Sequence, residues 1–166
     1  MDILKLSTEW AKAELVSAKI VWLFSLVILL SAGGFSLWGK TIMAKAFIIP
    51  LIVSGVLLIA VGTGLYAANK PRLAQFEKDY KSNTANFLEK EINRTMKSDH
   101  DFKMVFIILP AIAIIAAILL MLFPTPNWRA ASITTILLVT FLMGVDSNTS
   151  ARNNVYLQQL LKSSVS

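Results

Sequence analysis

The stretch KSDHDFK holds the most compact group of side chains that could do chemistry: Ser98, Asp99, His100 and Asp101. A metal site on a helix needs ligands three or four residues apart, and a Ser-His-Asp triad needs its members brought together in space. Adjacent residues of a helix instead point in different directions. We therefore expect no catalytic residue, no metal and no cofactor, and we predict that the protein is not an enzyme. A lipid-acting enzyme that uses His100 and Asp101 at a membrane interface is the least favoured alternative.

Other signatures of chemistry are missing from the sequence. The chain has no cysteine, which excludes thiolate metal sites, cysteine nucleophiles and disulfides. It also lacks a P-loop, a dinucleotide-binding fingerprint, an H-E-x-x-H zinc motif and a nucleophile elbow. The one long hydrophilic segment, 70–103, carries basic and acidic residues in nearly balanced numbers, so we expect no nucleic-acid partner.

A second candidate lies where the last apolar stretch ends, at Asp146 in LMGVDSNTS. At helical spacing this carboxylate shares one face with four hydroxyl side chains, and the face consists of Ser132, Thr135, Thr140, Asp146 and Ser147. One interpretation makes this polar face the wall of an aqueous or proton-conducting path. The other has the hydroxyl groups bonding to backbone carbonyls or a neighbouring helix. The second is favoured, because a carboxylate near a helix end reaches water at little cost.

The composition places these candidates in a membrane protein. Of the 166 residues, 55% are hydrophobic, and the mean hydropathy is +0.63. Charge-free stretches cover 20–39, 46–69, 104–128 and 130–145, and roughly 20 helical residues cross a hydrocarbon core. We predict an all-α membrane protein, a four-helix bundle forming one domain over 1–166, with spans at 20–38, 46–69, 104–123 and 129–150. The fourth span is short, so it must draw Asp146 toward the membrane edge.

Basic residues predict the orientation of the spans. Most of those outside the two ends of the chain lie in 70–103, whereas the opposite loops carry only Lys40, Lys45 and Arg129. Because cytoplasmic loops are rich in lysine and arginine, we expect both termini and segment 70–103 in the cytoplasm. The expected location is the bacterial inner membrane.

Segment 70–103 should form an amphipathic helical hairpin between spans two and three. Pro71 should break the chain after span two, and Ser82, Asn83 or Thr84 should cap the turn of the hairpin. Apolar residues recur at helical spacing along the hairpin, and those predicted to bind a partner are Leu73, Phe76, Tyr80, Phe87 and Ile92. Their face needs either a partner or the tail at 151–166, which should form an amphipathic helix on the membrane or against the hairpin.

Two further expectations concern the helices themselves. Small residues of span two, Gly55, Ala60 and Gly64, should let another helix approach closely. The N-terminal helix should begin at a cap formed by Ser7 or Thr8, with Trp10 in the headgroup layer.

The function that these features favour is interaction rather than catalysis. We predict a small accessory subunit, regulator or protective factor that acts through its hairpin and helix packing. Its partners would be the lipid bilayer and either another membrane protein or copies of itself as a homo-oligomer. The alternative is a homo-oligomeric channel or small transporter lined by the polar face of span four, because four spans alone enclose too little space for a solute path.

Overall fold

Residues 3–165 are described by the computed structural model, and within this range the chain forms five α-helices. They are α1 (Ile3–Trp38), α2 (Ile42–Asn69), α3 (Arg72–Ser82), α4 (Thr84–Leu122) and α5 (Pro126–Val165). Four helices are long and apolar enough to cross a membrane: α1, α2 taken together with α3, α4 and α5. The prediction of an all-helical chain with four such helices is confirmed.

Three of the helices are much longer than a membrane crossing needs. Helices α1, α4 and α5 contain 36, 39 and 40 residues. At about 1.5 Å per residue each is roughly 54–60 Å long, about twice the ~30 Å of a hydrocarbon core. Each therefore continues past its apolar segment. We call the polar parts together, residues 3–19, 70–103 and 147–165, the polar end.

Two local signals shape the polar end. Helix α2 ends at Asn69 and α3 begins at Arg72, so the helix is interrupted at Lys70 and Pro71, where the break was predicted. The predicted cause was wrong, because Lys70 keeps helical angles (φ −59°, ψ −47°) and donates to the Tyr66 carbonyl instead of adopting the extended conformation favoured before proline. Between α3 and α4, Asn83 is extended and its side chain accepts a hydrogen bond of 2.9 Å from the Asn86 N–H, which makes it the N-cap of α4. The hairpin therefore consists of α3 and the first part of α4, which runs on into the apolar segment without interruption.

The N-terminal cap was predicted in the wrong place. Helix α1 already includes Ile3, and the hydroxyl groups of Ser7 and Thr8 donate to the carbonyls of Ile3 and Leu4, at 2.9 and 2.8 Å. Serine and threonine inside a helix commonly bond to the carbonyl four residues earlier.

Helix α5 is the central helix of the bundle. Its backbone runs close to α1, α2 and α4, whereas the backbone of α4, within residues 3–165, runs close only to α3 and α5. At membrane level a core of Val21, Ile28, Leu51 and Leu58 joins α1 to α2, and Phe141 of α5 stacks on Phe24 with ring centroids 3.8 Å apart. At the polar end a second core contains Trp10, Phe76, Phe87, Tyr156 and Leu160. This second core positions the candidate site.

Candidate functional site

The apolar stripe of the hairpin is covered by the chain itself. Phe76 and Phe87 are only 4% and 3% exposed, and their rings meet edge to face with centroids 5.6 Å apart. Leu73, Tyr80 and Ile92 pack around the same core, which Trp10 of α1 and Tyr156 of α5 complete. The last part of α5 is thus placed against the hairpin. Docking of another chain on this stripe stays a prediction, and it would require the stripe to be uncovered first.

A buried ion pair lies beside this core. Arg94 donates to both carboxylate oxygens of Glu91, with Nε 3.0 Å from Oε1 and Nη2 2.7 Å from Oε2. Only 7% of the Glu91 side chain and 20% of the Arg94 side chain are exposed. This two-bond geometry is the strongest arrangement of an arginine and a carboxylate, and it gives each group a defined orientation.

Tyr156 connects the ion pair to the first helix. Its hydroxyl donates to Glu91 Oε2 at 2.8 Å and lies 2.7 Å from Ser7 Oγ. Burial, followed by the charge of Glu91, raises the pKa of Tyr156 above its ordinary value. The phenol therefore stays protonated and keeps donating to the carboxylate. Through this one hydroxyl, α5 is bonded to Glu91 of α4 and contacts Ser7 of α1.

Trp10 completes the cluster from α1. Its ring stacks on Tyr156 with centroids 5.5 Å apart, and the guanidinium of Arg94 lies 4.1 Å from the centre of the Trp10 ring. An arginine over the face of a tryptophan is attracted by the ring's negative face. We call Ser7, Trp10, Glu91, Arg94 and Tyr156 the polar-end network.

A second ion pair joins α1 directly to α5. Arg152 Nη2 lies 2.8 Å from Glu14 Oε1, 2.8 Å from Ser17 Oγ and 3.1 Å from Thr149 Oγ1. Glu14 is almost completely buried, with 2% of its side chain exposed. A carboxylate buried this deeply is tolerated because the arginine neutralises it.

A backbone contact fixes α4 against α5. Asn153 Nδ2 donates to the carbonyl of Thr95 at 3.0 Å, while the Thr95 hydroxyl donates to the carbonyl of Glu91 at 2.6 Å. Both Asn153 and Thr95 are fully buried. The Asn153 amide thus bonds α5 to the backbone of α4, which suits holding the two helices in register.

The group around His100 is not part of this network. His100 and Asp101 are exposed, and Asp99 forms an ion pair of 2.9 Å with Lys103. Within residues 3–165 no three His, Asp or Glu side chains are grouped so that they could hold a metal ion.

The side chains of the polar face of span four do not share one environment. Ser132 is buried and, with Thr135, borders a cavity of about 180 Å³ between α4 and α5. Thr140 borders a different cavity, of about 300 Å³, between α1 and α5. Asp146 is half-buried and Ser147 is exposed. The described chain thus does not gather these side chains into one path, and the channel alternative stays a prediction that depends on several copies.

The small residues of α2 that were predicted to allow close helix packing differ in their exposure. Gly55 is buried, and a Cβ atom there would lie 2.5 Å from Leu29 Cδ2 of α1. Ala60 and Gly64 are exposed, with open space around Gly64, so a helix packed on them would have to come from another chain. Gly62, which the sequence pattern did not single out, makes the close approach to Trp22 and Ala18 of α1.

The residues of the polar-end network were missed as a set, although a signal was present. Glu91 lies four residues after Phe87 and four before Thr95, so it belongs to the buried face of its helix rather than to the solvated face. Glu14 follows Trp10 by four residues in the same way. When a charged residue lies at the helical spacing of the apolar residues that face the core, it indicates a buried ion pair.

The fold and the site together define a helical bundle with four apolar helices of membrane-spanning length and a polar end closed by buried ion pairs. The chain matches no protein-family model, and comparison with curated proteins and with solved structures finds no significant match.

Proposed function

We propose that the protein is a small, non-enzymatic integral membrane protein that acts by binding another membrane protein or copies of itself. The observation that carries this proposal is the contrast between the two parts of α4. Its polar part is bonded to α5 through Glu91 and Thr95, and its Arg94 lies over the Trp10 ring of α1. Its apolar part is the least covered of the four membrane-length helices, with 6% of the residues in its apolar window buried against 22–33% in the others.

A helix that is fixed at its polar part and exposed along its apolar part is suited to pack against a second helix. Ile107, Ile114 and Met121 are 70%, 61% and 83% exposed along the apolar part of α4. In a membrane, helices associate through close side-chain packing and not through removal of apolar surface from water. A preformed, fixed helix lowers the entropic cost of such packing. The exposed Ala60 and Gly64 of α2 offer a second place for close approach.

The hairpin contributes to this function by positioning α4. Its apolar stripe is covered by Trp10, Tyr156 and Leu160. This packing holds the hairpin in place and thereby fixes the direction in which α4 leaves the polar end. An accessory subunit or regulator of this design would present α4 to its partner in one orientation. Direct docking on Phe76 and Phe87 would be a separate mode that first opens this core.

The proposed orientation places the polar end in the cytoplasm, with both termini inside, as in a bacterial inner-membrane protein. Two observations support it. The polar end carries the basic residues of 70–103, which favour the cytoplasmic side. Residues near both termini, Trp10 and Tyr156, share one core with Phe76 of the hairpin, which requires these three parts to lie on one side.

Photo-crosslinking in the protein's own membrane tests the proposal. A photoreactive amino acid is placed at Ile114, and the matched control carries it at Leu23 of α1, which is exposed to the same degree, 63% against 61%. The proposal predicts one discrete protein adduct from position 114 and only lipid adducts from position 23. Lipid adducts alone from both positions would contradict it.

A further inference from the structure

Two aromatic side chains meet where α1 and α2 reach the end of their apolar segments. The rings of Trp22 and Tyr66 pack against each other with centroids 5.2 Å apart. Next to this pair, Lys70 Nζ donates to the hydroxyl of Tyr66 at 3.1 Å and lies 5.4 Å from the centre of the Tyr66 ring. The ammonium group of Lys70 is therefore held against the aromatic pair, although Lys70 itself is exposed.

Lys19 reaches the same place from α1. It precedes Trp22 by three residues, and Lys70 follows Tyr66 by four, so each lysine shares a helix face with an aromatic ring of the pair. Because α1 and α2 run antiparallel, both steps lead toward the polar end, by about 4.5 Å and about 6 Å. The two lysines therefore lie at about the same height. We call Lys19, Trp22, Tyr66 and Lys70 the boundary site.

The chain does not neutralise the two lysines of the boundary site. None of the ion pairs identified within residues 3–165 includes Lys19 or Lys70. Helix α2 contains no acidic residue. On α1 the acidic residue nearest to Lys19 in the sequence is Glu14, which is buried and already paired with Arg152. Residues 3–165 thus leave two positive charges at this site without a counter-charge.

The height of these charges matches the phosphate layer of a bilayer. Lys19 and Lys70 are the charged residues that end the apolar stretches of α1 and α2 at the polar end. Tryptophan and tyrosine are enriched at this depth, and lysine side chains extend from it to the lipid headgroups. Seven residues further into the apolar layer on the same two helix faces, Leu26 and Ile59 are 53% and 44% exposed. Lipid tails can therefore pack directly below the site.

We propose that the boundary site binds the phosphate group of an anionic phospholipid. The hydroxyl of Tyr66 accepts from Lys70, which leaves its own proton to be donated to a ligand. Phosphate oxygens match this hydroxyl and the two ammonium groups. A zwitterionic lipid carries a cationic group beside its phosphate, which the lysines repel, so the site prefers an anionic headgroup. The acyl chains, packed on Leu26 and Ile59, hold the headgroup in place, which soluble phosphate cannot do.

Native mass spectrometry of the whole chain released from nanodiscs tests the proposal. The nanodiscs contain phosphatidylglycerol and an excess of phosphatidylcholine, and their two leaflets are alike, so the result does not depend on the orientation of the chain. The parent protein should retain phosphatidylglycerol in preference to phosphatidylcholine. The double variant Lys19→Gln with Lys70→Gln should lower this preference at least about tenfold, because each lysine near an anionic lipid surface contributes about fivefold.

A second double variant is the matched control for charge. Lys78→Gln with Lys90→Gln removes the same two charges from exposed positions of the hairpin, away from the apolar segments, and should retain phosphatidylglycerol like the parent. All four lysines are exposed, so their replacement leaves the fold intact, which circular dichroism checks. The absence of a lipid preference in the parent would overturn the proposal. Equal losses in the two double variants would overturn it as well, because net charge alone would then explain the retention.

A further arm of the experiment distinguishes a lipid from free phosphate as the source of the phosphate group. Inorganic phosphate is added to the parent protein in nanodiscs before the protein is released. Retention of phosphatidylglycerol should be unchanged, because inorganic phosphate has no acyl chains to pack against α1 and α2. Displacement of the lipid by inorganic phosphate would overturn the proposal in favour of a site for the soluble anion.

Discussion

The hydroxyl of Tyr156 lies 2.8 Å from Glu91 Oε2, although the two residues are 65 positions apart in the sequence. This contact joins the last helix to the hairpin. Glu91 is also paired with Arg94, whose guanidinium lies over the ring of Trp10 in the first helix. Three helices of membrane-spanning length are thus held together at one end. The predictions below follow from this arrangement.

Loss of the Glu91 carboxylate should destabilise the fold strongly. In Glu91→Ala the guanidinium of Arg94 and the hydroxyl of Tyr156 remain buried without their acceptor. Breaking a buried pair in this way costs about 3–5 kcal/mol of the free energy of unfolding. Titration with a denaturing detergent, followed by circular dichroism, measures the change. Glu77→Ala, which breaks the exposed pair with Lys81, is the control and should leave the free energy of unfolding almost unchanged. Equal effects would contradict the account.

The second ion pair should behave as a coupled unit. Arg152→Gln should destabilise the protein strongly, because it leaves Glu14 buried without its counter-charge, and Glu14→Gln should destabilise it less, because Arg152 is only partly buried. The double variant should be less destabilised than the sum of the two, with a coupling of about 0.5–3 kcal/mol. The same detergent titration on the four proteins gives the coupling. Strict additivity would mean that the two side chains do not interact.

The raised pKa of Tyr156 should make stability fall at alkaline pH. Above about pH 10 the unfolded chain releases the phenol proton while the folded chain retains it, so unfolding gains up to about 1.4 kcal/mol per pH unit from this group. Below that pH the contribution of the protonated phenol is fully present. The stability difference between the parent and Tyr156→Phe should therefore shrink as the pH rises from about 9 to about 11. A difference that is constant over this range would argue against a buried, protonated Tyr156.

Replacing glycine by alanine should have opposite effects on stability at Gly62 and at Gly64, which lie near the end of α2. A Cβ atom at Gly62 would lie 2.6 Å from Trp22 Cδ1, so Gly62→Ala should cost about 1–3 kcal/mol through overpacking. Gly64 is surrounded by open space, and Gly64→Ala should be neutral or stabilise by up to about 1 kcal/mol through helix propensity. Thermal unfolding of both variants decides. Destabilisation by Gly64→Ala would show that a helix packs there after all.

The orientation can be read from accessibility to a membrane-impermeant thiol reagent, because the chain has no cysteine of its own. Lys40 and Lys78 are both exposed, at the loop between α1 and α2 and on the hairpin. Lys40→Cys should react in intact cells, whereas Lys78→Cys should react only after the membrane is permeabilised. The reverse pattern would place the polar end outside the cell.

Much of the local structure could be predicted because it depends on neighbours in the sequence. The ion pairs of Glu77 with Lys81 and of Asp99 with Lys103 lie four residues apart on one helix, and both are found. The cap at Asn83 follows from the side-chain oxygen that asparagine offers at the start of a helix, and the position of the break follows from Pro71, which has no N–H to donate. The apolar stripe of the hairpin followed from helical spacing in the same way.

What covers that stripe could not be predicted, because it depends on distant parts of the chain. The spacing of Glu91 places it on the apolar face of its helix, but it does not reveal that Tyr156 and Trp10, from two other helices, surround its pair with Arg94. The polar face of span four was defined by angles on a straight helix. Those angles do not reveal which neighbours surround each side, and α5 has neighbours on several sides.

The central claim is that the protein acts by associating with another membrane protein or with itself, and native mass spectrometry of the protein extracted gently from its own membrane tests this most directly. The account predicts a complex of fixed stoichiometry that contains a second protein or further copies of this chain. A protein that leaves the membrane only as a monomer, at every detergent concentration that keeps it folded, would contradict the account.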